Sequence, residues 1–541
     1  MKSGEGYKST RRSFIKGIGA ALLLAPLLNA CKEKAVSLLI RMTGTNHILG
    51  HRLWAGSFPK PVHTITIPYL IVGGGITGLS AARQFRKQEI DDFLLLELEG
   101  HLGGNSSNGT NKYSKFPLGA HYLPLPNFHD KQLLDFLHEE KIITGFDVQG
   151  YPEFDEEQLT FSPQERLFIR NTWQEGLVPK YGNSAAADEE FERFFGMIEK
   201  FKEAKGKDGK YFFDIPISAS SADAEYYYLD KVTMKQWLTE NKFSAPELLE
   251  YANYCCRDDF GLGIDYVSAW AGIHYFAARK HDGTNTKDNV LTWPGGNARL
   301  AHHLKKYAEG KTMKNCLAYK LALRDGKAVV MAFDDVKKES VEIIADKVIM
   351  ATPQFVNQYL LPGRKQLAKA FNYAPWILAT LTLKDIPDAY SYPLCWDNVI
   401  YGGKGLGYIY DQHQQVRQLQ QKKVITYYYS LSTADLRKAR REVYQKPQEY
   451  WRQIIISDLK TAHPDIEALT EEIQIHRLGH GMISPVPGFI TGEALREAGQ
   501  PIEGKIYFAH SDLSGISIFE EAFHQGINVV KQVLHDTAMD T

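Results

Sequence analysis

The segment Tyr69-Leu70-Ile71-Val72-Gly73-Gly74-Gly75-Ile76-Thr77-Gly78-Leu79 limits the possible folds more than any other part of the chain. Its four leading residues are apolar without alternation, the pattern of a parallel strand buried on both faces. Gly73, Gly75 and Gly78 follow in Gly-x-Gly-x-x-Gly spacing and open a run of small and apolar residues at helical period, Leu79 to Lys87. Each glycine has its own task. Gly73 makes the tight turn, Gly75 lets backbone approach a pyrophosphate, and Gly78 lets helix and strand pack closely. Ile76 and Thr77 stand in the first helical turn, whose free N–H groups and positive dipole end favour phosphate. A second strand, Phe93 to Leu96, ends at Glu97, 19 residues past Gly78, with Leu98 beside it. That spacing suits a carboxylate accepting hydrogen bonds from ribose hydroxyls. Strand, glycines, helix, strand and acid in this order specify an α/β, Rossmann-type dinucleotide site.

Later segments narrow the reading. Leu102-Gly103-Gly104-Asn105-Ser106 follows the acid, and Phe116-Pro117-Leu118-Gly119-Ala120-His121-Tyr122 comes next. Thr292-Trp293-Pro294-Gly295-Gly296 precedes an amphipathic run, and a hairpin is expected around Arg324 to Lys327. Ala351-Thr352-Pro353 closes one more strand, and Lys505-Ile506-Tyr507-Phe508-Ala509-His510-Ser511-Asp512 forms the last. With these motifs the chain resembles the flavin-containing amine oxidase, protoporphyrinogen oxidase and phytoene desaturase superfamily, from about Pro68 to Leu534. The resemblance implies FAD. Gly103 and Gly104 would pack against its phosphates, with Asn105 where arginine is usual. Gly119, Ala120 and His121 would run along the flavin ring, and Leu317 would meet the adenine through its backbone. Asp512 would accept from the ribityl hydroxyls, His510 replaces the usual glycine, and Ile518 would lie near the ring ahead of the last helix. The resemblance also implies a lysine near the ring, but Ala379 or Thr380 falls there. No cysteine lies beyond Cys395, which points to non-covalent flavin.

The fold class follows: α/β, a discontinuous Rossmann-type FAD-binding domain with an inserted α+β substrate domain. The expected divisions are 1–31 (export and lipoprotein signal), 32–66 (tether and N-terminal segment), 67–129, 288–356 and 479–541 (FAD binding), and 130–287 and 357–478 (substrate domain). Residues 130–287 read as mainly helical, with Phe191, Phe194, Phe195, Ile198 and Phe201 as a core-facing stripe. Trp376 to Leu383 and Val424 to Leu431 read as strands, and Gln448 to Ala462 as a helix. Hydride moves to the flavin itself, so no protein nucleophile is required. Candidate catalytic residues are His480, in a Gly-His-Gly loop, and His121 and Trp293, which border the flavin turns. His274 reads as a core histidine. Arg257-Asp258-Asp259 reads either as a salt-bridged cluster or as part of a substrate channel. The expected activity is hydride removal from a C–N or C–C bond of a small or lipophilic substrate, with oxygen or a quinone as acceptor. A flavin-dependent isomerase and a non-catalytic flavin-holding protein are the alternatives.

Charge and cysteine content exclude other classes. Sixty-three Lys and Arg balance 64 Asp and Glu, so no basic surface for nucleic acid is expected. Five cysteines without Cys-x-x-Cys spacing suggest neither a disulfide scaffold nor a metal site. Thr10-Arg11-Arg12-Ser13-Phe14-Ile15-Lys16 precedes the apolar run Ile18 to Leu28, which is too short to span a bilayer. The paired arginines match a twin-arginine export signal, read by the twin-arginine translocase. Leu28-Asn29-Ala30-Cys31 resembles a lipobox, which implies a lipidated Cys31 holding the protein to a membrane on the periplasmic or cell-surface side. Replacing Arg11 and Arg12 together by lysine is expected to leave precursor in the cytoplasm; cell fractionation with an antibody to the protein checks this, and normal export would refute the signal.

Overall fold

The structure, a computed structural model, describes residues 38–280, 289–386, 391–415 and 422–540. The export signal and Cys31 lie outside these residues. Residues 1–39 and 40–541 are separate compact units, and all that follows concerns the second.

Its nucleotide half is built on a seven-stranded sheet. Thr312–Met313, Phe93–Leu96, Pro61–Val72, Glu339–Met350 and Ile506–Phe508 are parallel to their neighbours. The last two of these pair only at Val348–Met350. Over its earlier residues Glu339–Met350 pairs instead with Lys327–Asp334, which continues into the edge strand Cys316–Arg324. The expected hairpin is therefore present, closing at Arg324 and Lys327. The first strand is longer than its apolar tetrad suggested, because Pro61 to Pro68 also pairs along Glu339–Met350. Part of the segment expected as a tether is thus sheet.

Helix Ile76–Lys87 buries Leu79, Ala81, Ala82 and Phe85 between this sheet and the final helix, Phe519–Asp540. Helix Lys131–Glu139 adds Leu133, Leu134, Phe136 and Leu137 to the same core. The expected division at residue 130 therefore cuts through a packed unit. Each such fully buried side chain stabilises by about 1.5–3 kcal/mol.

The substrate half rests on a second sheet in the order Thr470–Ile483, Tyr373–Leu383, Lys423–Ser430, Tyr408–Tyr410, Asp397–Ile400, Glu165–Ile169, Thr172–Glu175, with residues 40–44 along its first edge. Residues 130–287 are helical at Ala185–Glu203, Met234–Glu240, Pro246–Phe260 and Ala269–Ala277. They also supply the two terminal strands of this sheet, a departure from the mainly helical expectation. Those strands are short and carry charge at Glu165, Arg166 and Glu175, so their period was hard to see. The phenylalanine stripe packs in one large core with Trp237, Phe243 and Trp270, where Phe195 is only partly buried.

Helices Ile76–Lys87 and Phe519–Asp540 touch backbone to backbone. A Cβ on Gly526 would lie 2.3 Å from the Thr77 carbonyl oxygen and 2.7 Å from Ser80 Cβ. Gly526→Ala should therefore destabilise by about 1–3 kcal/mol, read from urea unfolding; unchanged stability would contradict this packing.

Candidate active site

At the glycine turn, Gly73 has φ 109° and donates its N–H to Leu96 O at 2.8 Å. A Cβ on Gly78 would sit 1.9 Å from Gly73 O, so helix and strand can approach only without one. A Cβ on Gly75 would meet nothing within 4 Å. The turn thus leaves open space at the one glycine expected to face phosphate. Gly103 and Gly104 close the other side, with Gly103 N donating to Gly74 O at 2.8 Å. Glu97 accepts from the N–H groups of Gly74 and Glu99, each at 2.7 Å. Burial, working against these bonds, pushes its carboxyl up to about 7. Leu98 and Leu317 share a small apolar cluster with Leu49 and Phe333, on the edge strand beside Glu97.

The turn at Gly119 to Tyr122 is held from three sides. Ala120 N donates to Asn105 O at 3.1 Å, Tyr428 Oη to Gly119 O at 3.1 Å, and Asn297 N to Ala120 O at 3.0 Å. Asn105, where the resemblance has an arginine, lines the cavity and crosses to the other half of the molecule. Its amide donates to Gly481 O at 2.8 Å and ties the nucleotide half to strand Thr470–Ile483.

Asp512 is fully buried. Its Oδ2 accepts from Tyr373 Oη at 2.5 Å and from Gln354 N at 2.8 Å. Its Oδ1 has no hydrogen-bond donor among the described residues. His510 Nδ1 lies 3.1 Å away but itself accepts the Asp512 N–H at 3.2 Å, so its lone pair is already used. An orphaned, buried carboxylate oxygen and an open glycine turn are what a dinucleotide with a polyol arm needs. The residues present therefore fit FAD.

Beside this groove lies a cavity of about 810 Å³. Asn105, Gly119, Ala120, His121, Gly481 and Ile518 are among its lining residues. Tyr122, Trp376, Leu378 and Tyr428 supply aromatic and apolar walls, with Asp258, Asp259, Arg279 and Glu520 among them. Glu520 opens the final helix and pairs with Arg279 at 2.9 Å. Burial alone would weaken the hold of Arg279 on its proton, and Glu520 more than offsets this. Asp258 is 3.4 Å from Tyr122 Oη, and burial raises it to about 6. Burial raises Asp259 to about 7, helped by Asp258 and opposed by Arg279. Both acids are partly buried and line the cavity.

The structure separates the expected catalytic residues. His121 lines the cavity, and burial drives it down to about 3, so it is a neutral wall. His480 lies inside strand Thr470–Ile483 and not in the expected loop, and it is no part of that lining; it stacks on Phe355 at 3.9 Å and leans on Tyr373. Trp293 is likewise turned away, its indole N–H donating to Gln158 at 3.1 Å. Ala379 and Thr380 are buried in the sheet, while Trp376 and Leu378 on the same strand reach the cavity. Arg257 leaves its two acidic neighbours and donates to the carbonyls of Gly403, Lys404 and Gly405. Arg257 therefore forms no salt bridge with them among the described residues, and Asp258 and Asp259 line the cavity instead. His274 is a core histidine, bonded to Asp214 O at 3.0 Å. Sequence reasoning passed over Arg279 and Glu520. Their signal was charge inside apolar helical runs, Tyr275 to Lys280 and Ile516 to Phe523. Among the described residues there is no group of side chains suited to a metal ion.

The family model described as an NAD(P)-binding Rossmann-like domain matches residues 71–139, ending where helix Lys131–Glu139 ends. Solved structures extend the likeness over the whole unit. Cyclohexylamine oxidase from Brevibacterium oxydans IH-35A superposes with a TM-score of 0.62 at 14% identity, covering 88% of this chain and 100% of that one. Putrescine oxidase bound to putrescine gives 0.60 at 14%, over 87% and 100%. A conjugated-linoleic-acid-producing fatty acid isomerase from P. acnes gives 0.60 at 15%, over 86% and 98%. The chain shares the overall fold of these three proteins. No curated protein matches it in sequence. Within that fold, the open turn at Gly75 and the orphaned Asp512 oxygen stand on the nucleotide side, and the acidic cavity stands on the side of the inserted sheet.

Gly75→Val should fold with near-normal stability, because its side chain meets only open space, yet retain no FAD. Gly78→Val should fail to fold. Flavin released by heat, set against far-ultraviolet circular dichroism, distinguishes the two; stoichiometric flavin in Gly75→Val would refute the phosphate placement.

Proposed function

We propose that the chain is an FAD-dependent oxidoreductase that withdraws a hydride from the carbon of a C–N bond in a cationic, amine-bearing substrate. The observation that carries this is Asp259, a carboxylate lining a partly open cavity with aromatic walls and having no hydrogen-bond partner of its own among the described residues. With Asp258, Asp259 and Glu520 ionised against Arg279, the cavity carries a formal surplus of negative charge. An ammonium group matches that surplus, and Tyr122, Trp376 and Tyr428 offer ring faces to it. The likeness in fold to putrescine and cyclohexylamine oxidases supports the same reading. A polyene would leave both carboxylates unmatched.

FAD, held without a covalent bond, supplies the hydride acceptor. The chain's own residues do the rest. Gly75, Gly103, Gly104 and the first turn of Ile76–Lys87 cradle the pyrophosphate. Glu97 and Asp512 Oδ1 accept from its sugar and polyol hydroxyls. Tyr122, Trp376, Leu378 and Tyr428 exclude water and orient the donor. Asp259 takes a proton from the ammonium, since only the free amine can release hydride. Oxygen or a quinone would then reoxidise the enzyme. We further infer export through the Arg11–Arg12 signal and anchoring at Cys31. No helix among the described residues is long and apolar enough to cross a membrane.

Anaerobic bleaching of the flavin absorbance tests the reading. Primary amines such as putrescine should bleach it and polyenes should not; bleaching by polyenes alone would overturn it. Product formation without acceptor consumption would favour an isomerase, which the fatty acid isomerase likeness keeps in view. Asp259→Asn should raise KM for the amine by roughly 10- to 100-fold, the loss of about 1.5–3 kcal/mol from a charge-assisted contact. The same variant should gain stability. The wild-type acid goes from an ordinary value near 4 when unfolded to about 7 when folded. Folding therefore takes up a proton, and the wild type loses stability as pH rises through that window. The gain of the asparagine variant should grow from pH 4 to pH 7 and stay level above, as thermal melts of both proteins would show.

A further inference from the structure

Helix Leu436–Gln445 carries a local charge that the near-neutral balance of the whole chain conceals. Arg437, Lys438, Arg440 and Arg441 stand against one acid, Glu442. Leu436, Ala439 and Val443 are buried and fix one face of the helix to the protein. Arg440 turns inward and donates to Tyr373 O at 2.8 Å. Arg437, Lys438 and Arg441 lie on the opposite face, are exposed, and form no ion pair among the described residues. Tyr444, one turn beyond Arg441, joins this basic face to the segment His47 to Trp54. Its ring lies 4.4 Å from that of His47 and 6.1 Å from that of His51. His51 in turn stacks on Trp54 at 4.0 Å. Trp54 is 63% exposed, and Ile48, beside His47, is 75% exposed. A wet tryptophan and a wet isoleucine thus border three cations without acidic partners.

We propose that Ile48, Trp54, Arg437, Lys438 and Arg441 form a docking face for the surface of an anionic phospholipid bilayer. Charge and apolar character are both matched there. Tryptophan settles at the level of the headgroups, an aliphatic side chain reaches the acyl boundary, and lysine and arginine meet anionic headgroups. A nucleic acid would use the three cations and leave Ile48 and Trp54 in water. Connectivity favours the same occupant. Eight residues separate Cys31 from Ile40, where the compact unit begins. Acyl chains at Cys31 would therefore hold the start of that unit within about 30 Å of a membrane, and the segment with Ile48 and Trp54 comes directly after it. The inference deepens the anchoring reading of Cys31. An acyl tether limits distance, whereas this face fixes which side of the enzyme meets the lipid.

Indole fluorescence reads this face directly. All eight tryptophans lie among the described residues, and of these Trp54 alone is exposed. Full-length, flavin-loaded protein is mixed with vesicles of phosphatidylglycerol and brominated phosphatidylcholine at about 0.1 M salt. Bromine in the acyl chains should quench part of the wild-type emission and none of that of Trp54→Phe. Replacing Arg437, Lys438 and Arg441 together by glutamine should lower the ratio of docked to free Trp54 on the order of 100-fold, about five-fold per charge. Circular dichroism and flavin content establish that each variant is folded. Before vesicles are added, acrylamide should reach Trp54. Shielding at that stage would show the face covered by other residues of the chain or by a second copy, and would overturn the proposal. Flotation with the vesicles but without Trp54 quenching would also overturn it, and would leave anchoring at Cys31 standing. Quenching that persists in Cys31→Ser, with no acyl chain found on the wild type by mass spectrometry, would uphold the face and refute the anchor.

Discussion

The architecture depends on backbone approaching backbone where side chains are missing. Gly78 lets helix Ile76–Lys87 settle on the strand that feeds it, and Gly526 lets the final helix lie against the first turn of that helix. These contacts place two helix N-termini on the same side of the sheet. One faces the phosphate space at Gly75. The other brings Ile518 and Glu520 to the cavity. A methyl group at either glycine would push the helices apart, and both ends of the site would move together.

The cavity is expensive to maintain. Asp258, Asp259 and Glu521 are all held above their ordinary values, mainly by burial. Glu521 is braced by the Ile217 N–H at 2.6 Å, and Glu520 by Arg279 at 2.9 Å. Asp259 has no such brace among the described residues. Protein interiors rarely retain an unpaired carboxylate unless it serves a purpose, which is why its position carries so much of the functional reading.

Much of the nucleotide half was legible in the sequence because Gly73 and Gly78 are packed too closely to take a side chain, and Gly75 stands at a fixed spacing between them. Gly73, Gly75, Gly78, Glu97 and Asp512 fall where spacing and resemblance put them. Asn105 shows the limit of such transfer: the position is held, but its side chain crosses to bond Gly481 in the other half of the molecule. The cavity was less legible. Asp258 and Asp259 sit on a helix, Arg279 follows another, and Glu520 opens a third, and only tertiary packing brings them together. His480 and Trp293 were singled out for their loops, yet each is claimed by a neighbour, Phe355 and Gln158. His480 proves to lie inside strand Thr470–Ile483, where flanking glycines had suggested a loop, and the position of Trp293 between elements does not say which way its ring turns. Residues 165–175 escaped as strands because their neighbours in the sheet come from 397–410, far along the chain.

The forked strand Glu339–Met350 carries a temporal consequence. Its last three residues remain without a partner on one side until Ile506–Phe508 is available. The sheet that grips the dinucleotide is therefore incomplete while the ribosome is still making nine-tenths of the chain. The final helix, which seals helix Ile76–Lys87, emerges later still. Until Ile506–Phe508 pairs, Val348, Ile349 and Met350 keep an open strand edge, which other chains can reach.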